Sequence, residues 1–259
     1  MGVEGDLHEV SHDWLFAGTL SLRQPARRAG YRVNVDAILL AAFAARALAG
    51  GEPRAARGAR ARHAIDLGAG VGAVGLTLLH FEAAARVTMV EIDPTLARLA
   101  VDNAGENAWT EQTEVIVGDV RHAAARLRAG ADLVACNPPY VTPGRGRAPA
   151  ERVRSAKYGD LATFVEAARK VAGRRARACF VYPAIEATTL LATLRAHGLE
   201  PKRLRAVHGR ANDKARVVLV ESVPGKPGGL VIEPPFVETD ARGARSPELA
   251  ALLTTPRRR

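Results

Sequence analysis

Ala64-Ile65-Asp66-Leu67-Gly68-Ala69-Gly70-Val71-Gly72 sets the architecture of this 259-residue chain. A short apolar run meets an acid near its end, and three glycines at alternate positions follow before an apolar stretch resumes. Glycine lets the backbone turn through positive φ and approach a neighbour closely, because no Cβ collides. A strand that reverses through such a loop into a helix offers helix N–H groups to a nucleotide. Downstream the alternation repeats. Apolar runs that read as strands fall at 64–67, 87–91, 114–117, 133–136, 178–182, 203–207 and 217–221, with helical stretches near 72–80, 94–107, 161–171 and 185–197. Pro94 suits a first helical turn, where its missing N–H would be unpaired anyway. Such alternation predicts an α/β fold, a mostly parallel sheet with helices on both faces. The last two runs are joined by Gly209-Arg210-Ala211-Asn212-Asp213, too short for a helix, so they should be antiparallel neighbours.

Upstream, 15–22 alternates loosely and predicts a hairpin, and Asn34 or Asp36 is placed to cap a helix over about 37–48. Beyond 225 the tail reads as a loosely packed extension with a short helix near 247–253. The organisation expected is therefore 1–60 as a hairpin and helix within the same domain, 61–225 as the catalytic domain and 226–259 as an extension. Hydrophobic content of 47% and charged content of 25% exclude fibrous and disordered classes. The most apolar stretch, 37–50, contains Arg46 and is too short to span a bilayer. The first ten residues lack the basic-then-apolar order of a signal peptide, so a cytoplasmic location is expected. Cys136 and Cys179 lie in strand-like runs and read as reduced core residues. The histidines show no metal-type spacing, so no metal is expected.

Chemistry concentrates after the run Asp132-Leu133-Val134-Ala135-Cys136, where Asn137-Pro138-Pro139-Tyr140 follows. Asn offers an acceptor oxygen and two donors. The prolines fix their own φ and push preceding residues out of the helical region. Tyr140 adds a flat amphipathic ring. Together they form a rigid rim able to hold a planar, amine-bearing group. Gly70-Val71-Gly72-Ala73-Val74-Gly75 satisfies the dinucleotide pattern G-x-G-x-x-G, which keeps a nicotinamide-dependent oxidoreductase open. Against it, Asp66 is hostile to a pyrophosphate and suits a cationic amino-acid group. The turned Gly68, Gly70 and Gly72 resemble an S-adenosylmethionine loop. Glu91, followed by Ile92, ends the second strand, where an acid accepts bonds from ribose hydroxyls of either cofactor. Asp119, followed by Val120, is a turn residue or an acceptor for an adenine amine. The formal charge of +10 reads either as arginine-rich composition or as the footprint of a polyanion. Arg145, Arg147, Arg152, Arg154 and Lys157 crowd the segment after the rim and favour the second.

At this point the chain resembles the bacterial methyltransferases that make N6-methyladenosine in valine tRNA. The resemblance rests on Gln24-Pro25, Gly30-Tyr31-Arg32-Val33, Asp36-Ala37, Leu39-Leu40-Ala41, Asp66-Leu67-Gly68-Ala69-Gly70 and Asn137-Pro138-Pro139-Tyr140. It continues in Arg216-Val217-Val218-Leu219, Leu230-Val231-Ile232-Glu233-Pro234 and Ser246-Pro247-Glu248. It implies a class I, Rossmann-like, seven-stranded fold ending in an antiparallel hairpin, S-adenosylmethionine as cofactor and adenosine 37 of a tRNA as substrate. The same tetrapeptide occurs in enzymes acting on DNA adenine, rRNA or protein glutamine, so those targets stay open, as does a non-catalytic RNA-binding module. The resemblance also implies roles. Asn137 and Pro138 hold the amine, with Pro139 stiffening the rim and Tyr140 stacking on the base. Asp66, Gly68, Gly70, Gly72, Glu91, Ile92, Asp119, Val120 and Asn137 itself line the cofactor. Asn34 and Asp36 close over its methionine end, unless they only cap the helix. Arg145, Arg147, Arg154 and Lys157 contact RNA. A monomer is favoured.

Overall fold

The computed structural model describes residues 10–26, 34–45, 61–127, 130–139 and 161–257. The chain opens with an antiparallel hairpin of β1 (Val10–Leu15) and β2 (Leu20–Pro25). It is wider than the expected 15–22, because the turn falls in the middle of that apolar run. Phe16, Ala17 and Gly18 turn through positive φ there, and the Phe16 ring is buried in a stack on His80 at 4.2 Å. Tertiary burial of one aromatic thus overrides the strand-like pattern. Helix α1 (Val35–Ala44) follows, with Asn34 Oδ1 accepting from the Asp36 N–H. All residues from Asp36 to Ala44 are buried, so α1 belongs to the core.

The remaining elements are β3 (Ala61–Leu67), α2 (Ala73–His80), β4 (Ala84–Glu91), α3 (Pro94–Glu106), β5 (Thr113–Val117), α4 (Val120–Leu127) and β6 (Ala131–Cys136), then α5 (Leu161–Val171), β7 (Ala172–Pro183), α6 (Ala187–Ala196), β8 (Leu199–Arg210), β9 (Ala215–Pro224), β10 (Val231–Ile232), β11 (Phe236–Thr239) and α7 (Pro247–Leu253). The sheet runs β10-β8-β9-β7-β6-β3-β4-β5, with β11 also paired to β8. Strands β3 to β7 pair in parallel, while β9 is antiparallel to both β7 and β8. The seven expected strands stand in this order, and the terminal hairpin is the antiparallel pair. Central strands are buried on both faces, as continuous apolar runs require. One face carries α1, α2, α3 and the β1–β2 hairpin, and the other carries α4, α5 and α6. No helix among the described residues is long and apolar enough to cross a membrane.

Two features correct the reading of the sequence. Helix α4 was not expected, because its buried side chains are only Val120, Ala123 and Ala124 on a short, charged segment. The tail is also packed rather than loose. Strands β10 and β11 extend the sheet in parallel with β8, Phe236 is fully buried and α7 buries Leu249 and Leu252. The Arg205 guanidinium donates to both Glu248 oxygens at 2.8 and 2.9 Å, a bidentate geometry. Helix α1 is clamped at both ends from the sheet. The Phe43 and Ala44 carbonyls accept from Arg203 and Arg177, both paired with Glu221, so cations meet its negative end. At the other end Asp36 meets Arg216 at 2.6 Å, and Arg216 also pairs with Glu238 of β11.

Candidate active site

Parallel pairing brings the tips of four strands to one edge. Leu67 is in register with Val90 and with Cys136, and Glu91 with Val117. Gly68, Ile92, Gly118 and Asn137 are therefore the next residues out on adjacent strands, about 4.8 Å apart. Strands β4 and β5 lie on one side of β3 and β6 on the other. Open α/β sheets hold ligands where the strand order reverses. That point separates Gly68 from Asn137.

The glycine loop is held from below. Gly68, Gly70 and Gly72 have φ of 75°, 56° and 87°. The Gly68 and Ala69 N–H groups both donate to the Val90 carbonyl. A Cβ on Gly72 would sit 2.9 Å from Met89 Sδ, and one on Gly75 would meet Met89 and Val87 at 3.0 Å. These two glycines let α2 settle on the sheet. A Cβ on Gly68 would come 3.1 Å from the Phe164 ring of α5, which closes the loop from the opposite face.

Asp66 is fully buried beneath this loop. Its Oδ2 accepts from the Gly75 N–H at 2.9 Å, while Oδ1 has no partner among the described residues. Burial raises its pKa to about 7, opposed by the Gly75 bond and assisted by the nearby Glu91 charge. Glu91 is also held in the loop: Oε2 accepts from the Gly70 N–H at 2.7 Å and Oε1 from the Asp93 N–H at 2.9 Å. Desolvation raises its pKa despite these bonds. The helix cap is Asp93, whose Oδ1 accepts from Thr95 and Leu96. Glu91 is thereby left for the loop, with lone pairs to spare. Ile92 beside it is 47% exposed, an apolar face open at the strand tip. Asp119 is clasped by Arg121, which lowers its pKa. Val120 is buried against the core and has little surface to offer a ligand.

Asn137 is half-buried, Pro138 buried and Pro139 half-buried at the end of β6. Asn34 and Asp36 reach the same edge, because Arg216, which grips Asp36, precedes Val217, and Val217 pairs with Pro183 at the end of β7. They cap α1 and carry an ion pair, so their structural roles are filled. Tyr140, Arg145, Arg147, Arg154 and Lys157 lie outside the described residues, as do Arg152 and residues 30–33.

One anchor escaped the reading of the sequence. The side-chain amide of Asn103 accepts from the Arg23 N–H at 2.6 Å and donates to the carbonyls of Arg23 and Val71, both at 2.9 Å. One turn later Asn107 accepts from the Ser21 N–H and donates to the Ser21 carbonyl. An amide of α3 and one at its C-cap thus grip β2, and the first also holds the glycine loop. Two asparagines four apart along the predicted helix, where Asn is a weak former, were the signal available.

Residues 52–156 match the family model of the methyltransferase small domain. The chain is 30% identical to a tRNA1(Val) (adenine(37)-N6)-methyltransferase of Enterobacter sp. (strain 638), over 64% of each chain. An enzyme of the same name from Porphyromonas gingivalis (strain ATCC BAA-308 / W83) is 32% identical over 42% of this chain and 41% of its own. One from Shewanella halifaxensis is 27% identical over 77% and 78%. The match thus spans 64% and 41% of the first two relatives. Among solved structures, a predicted O-methyltransferase from Agrobacterium tumefaciens superposes with a TM-score of 0.63 at 22% identity, covering 84% of this chain and 94% of that one. Trm5b from Pyrococcus abyssi gives 0.56 at 15% identity, covering 86% and 58%. At these identities the structural likeness concerns the fold alone, a Rossmann-like α/β sheet.

Proposed function

We propose that this chain, whose residues 52–156 match the methyltransferase small domain, transfers a methyl group from S-adenosylmethionine to N6 of adenine in RNA, with adenosine 37 of tRNA(Val) as substrate. The observation that carries the reading is the register Leu67↔Cys136, which sets the glycine loop and Asn137-Pro138-Pro139 side by side at the switch point. Relatives bearing the tRNA1(Val) name support the substrate.

The residues present fit the cofactor. Asp66 buries a carboxylate whose Oδ1 is unpartnered among the described residues, which suits a cationic amino-acid portion and opposes a pyrophosphate. Glu91 faces the ribose position and Ile92 offers the adenine an apolar face. When bound, S-adenosylmethionine supplies an electrophilic methyl group on a sulfonium. An adenine amine is a poor nucleophile because its lone pair is delocalised into the ring. Asn137 Oδ1 and the Pro138 carbonyl would accept its two hydrogens and let the nitrogen pyramidalise. Its lone pair then leaves conjugation and bonds the methyl carbon as the methyl–sulfur bond breaks to a neutral thioether, with the surplus N6 proton released to solvent. Positioning and preorganised acceptors then carry the catalysis, with no dedicated base among the residues assigned. Tyr140 stacks on the base, a contact worth about 1–3 kcal/mol. Arg145, Arg147, Arg154 and Lys157 contact phosphates.

Tritiated methyl transfer to purified total tRNA, followed by nucleoside mass spectrometry, tests the reading. N6-methyladenosine in tRNA(Val) is the expected product. Label appearing instead in rRNA, DNA or protein glutamine would keep the clamp and refute the substrate.

A further inference from the structure

Strand β8 runs parallel to β6 and β7, so its last residue, Arg210, reaches the same edge of the sheet as Asn137. The β8–β9 turn that follows presents Lys214. Strand β11 pairs in parallel with β8, with Thr239 against Arg210, and delivers residues 240–245 to the same place. That turn carries Arg242 and Arg245, and a Cβ on Gly243 would lie 3.9 Å from the Arg210 guanidinium. Arg210, Lys214, Arg242 and Arg245 are all exposed, and none makes an ion pair among the described residues. Nearby carboxylates are few. Exposed Asp240 accepts from the Arg242 and Ala244 N–H groups through Oδ1, and Glu238 is held by Arg216. Among the described residues, Asp213 and Asp240 are the exposed carboxylates of these two turns, against the four cations.

We propose that these two turns form a second RNA-binding surface, gripping the phosphate backbone of the substrate away from the base being modified. The inference rests on the reading of the substrate as RNA. Strands β7, β9 and β8 separate β6 from the patch, which places it roughly 14–19 Å from Asn137 at about 4.8 Å per strand. That distance reaches nucleotides flanking the target without touching the reacting base. Four unpaired cations on flexible stems suit phosphates, which position a nucleic acid without reading its sequence. The tail therefore belongs to substrate binding as well as to the fold.

The test compares two sets of variants in the full chain. Arg210, Lys214, Arg242 and Arg245 are changed together to Gln. The control changes Arg174→Gln and Arg175→Gln, exposed cations at the start of β7 on the opposite edge of the sheet. Binding of a tRNA(Val) transcript is measured from low to high salt, with S-adenosylmethionine affinity as a check on folding. The fourfold variant should lose at least about tenfold in tRNA affinity, and its log–log salt slope should flatten by roughly 2–4. The control should keep the wild-type slope. An equal loss per removed charge in the two sets would overturn the proposal, since net charge alone would then suffice. An unaffected fourfold variant, with wild-type tRNA methylation intact, overturns the patch and leaves the proposed function standing. Failure of the wild type to bind or methylate tRNA overturns both.

Discussion

Replacing Asp66 by Asn should make the cofactor-free protein more stable at pH 8. Its carboxyl is fully buried, one oxygen lacks a partner among the described residues, and its pKa stands at about 7 against an ordinary 3.8. The folded protein therefore holds this proton more tightly than the unfolded chain. Stability tied to the group is fully present below about pH 4 and is lost as pH climbs to about 7. The interval corresponds to roughly 4 kcal/mol. An amide keeps the acceptor for the Gly75 N–H but puts an unpaired NH₂ where Oδ1 was, costing about 1–2 kcal/mol. The net expectation is a gain of about 2–3 kcal/mol at pH 8, reversing to a small loss near pH 4. Urea unfolding of both proteins from pH 4 to 8.5 measures it, and taking their difference cancels groups common to both. S-adenosylmethionine binding by the variant should weaken, because the missing charge is the one the cationic amino-acid portion compensates. A wild type at least as stable as the variant at pH 8, or a difference flat with pH, would show that Asp66 carries no buried unpaired charge.

Asn137→Ala should leave cofactor affinity unchanged while methyl transfer falls by orders of magnitude, as single-turnover kinetics with labelled cofactor would reveal; retained transfer refutes the clamp. Gly18 and Gly72 both have φ of 87°, but only Gly72 has Met89 Sδ at 2.9 Å from its would-be Cβ. Alanine should therefore cost about 1–2 kcal/mol at Gly18 and about 2–5 kcal/mol at Gly72, read by denaturant midpoints; equal costs would mean that Met89 simply moves aside. Burial lowers the pKa of His80 from 6.5, with Arg257 acting in the same direction and the Thr255 carbonyl against it. The unfolded chain then binds the extra proton, so this contribution is present above pH 6.5 and lost below it. His80→Gln should shrink the fall in thermal midpoint between pH 7.5 and 5.5, and an unchanged fall assigns it elsewhere.

Local chemistry made most of the sheet legible. Continuous apolar runs bounded by glycine or an acid gave the strands from β3 to β9, and Pro94 marked the start of α3. What stayed hidden depends on partners remote in sequence. Strands β10 and β11 exist because β8 offers an open edge some 30 residues upstream. Asp36 reads alone as a cap or ligand, whereas its position is fixed by Arg216 and Glu238. Within the candidate site, Asp66 and Gly68 stand at the end of β3, Gly72 caps α2 and Asn137 follows β6, positions that a strand, a glycine turn and a helix start convey locally. Asn103 did not declare itself, because its meaning is the backbone of β2, eighty residues away. Helix α4 hid for a different reason: alanines supply its buried face, and they leave little periodic contrast.

The grip of Asn103 and Asn107 on β2 bears on solubility. A two-stranded hairpin has outer rims of unsatisfied N–H and C=O groups, and such rims recruit foreign strands. On β2 the peptide groups of Ser21 and Arg23 are occupied in both directions by side-chain amides, each standing in for a residue of an adjoining strand. The chain thereby closes a sticky rim without adding a strand. Asn103, which also steadies the glycine loop, and Asn107 thereby leave a foreign strand no open peptide groups at Ser21 and Arg23.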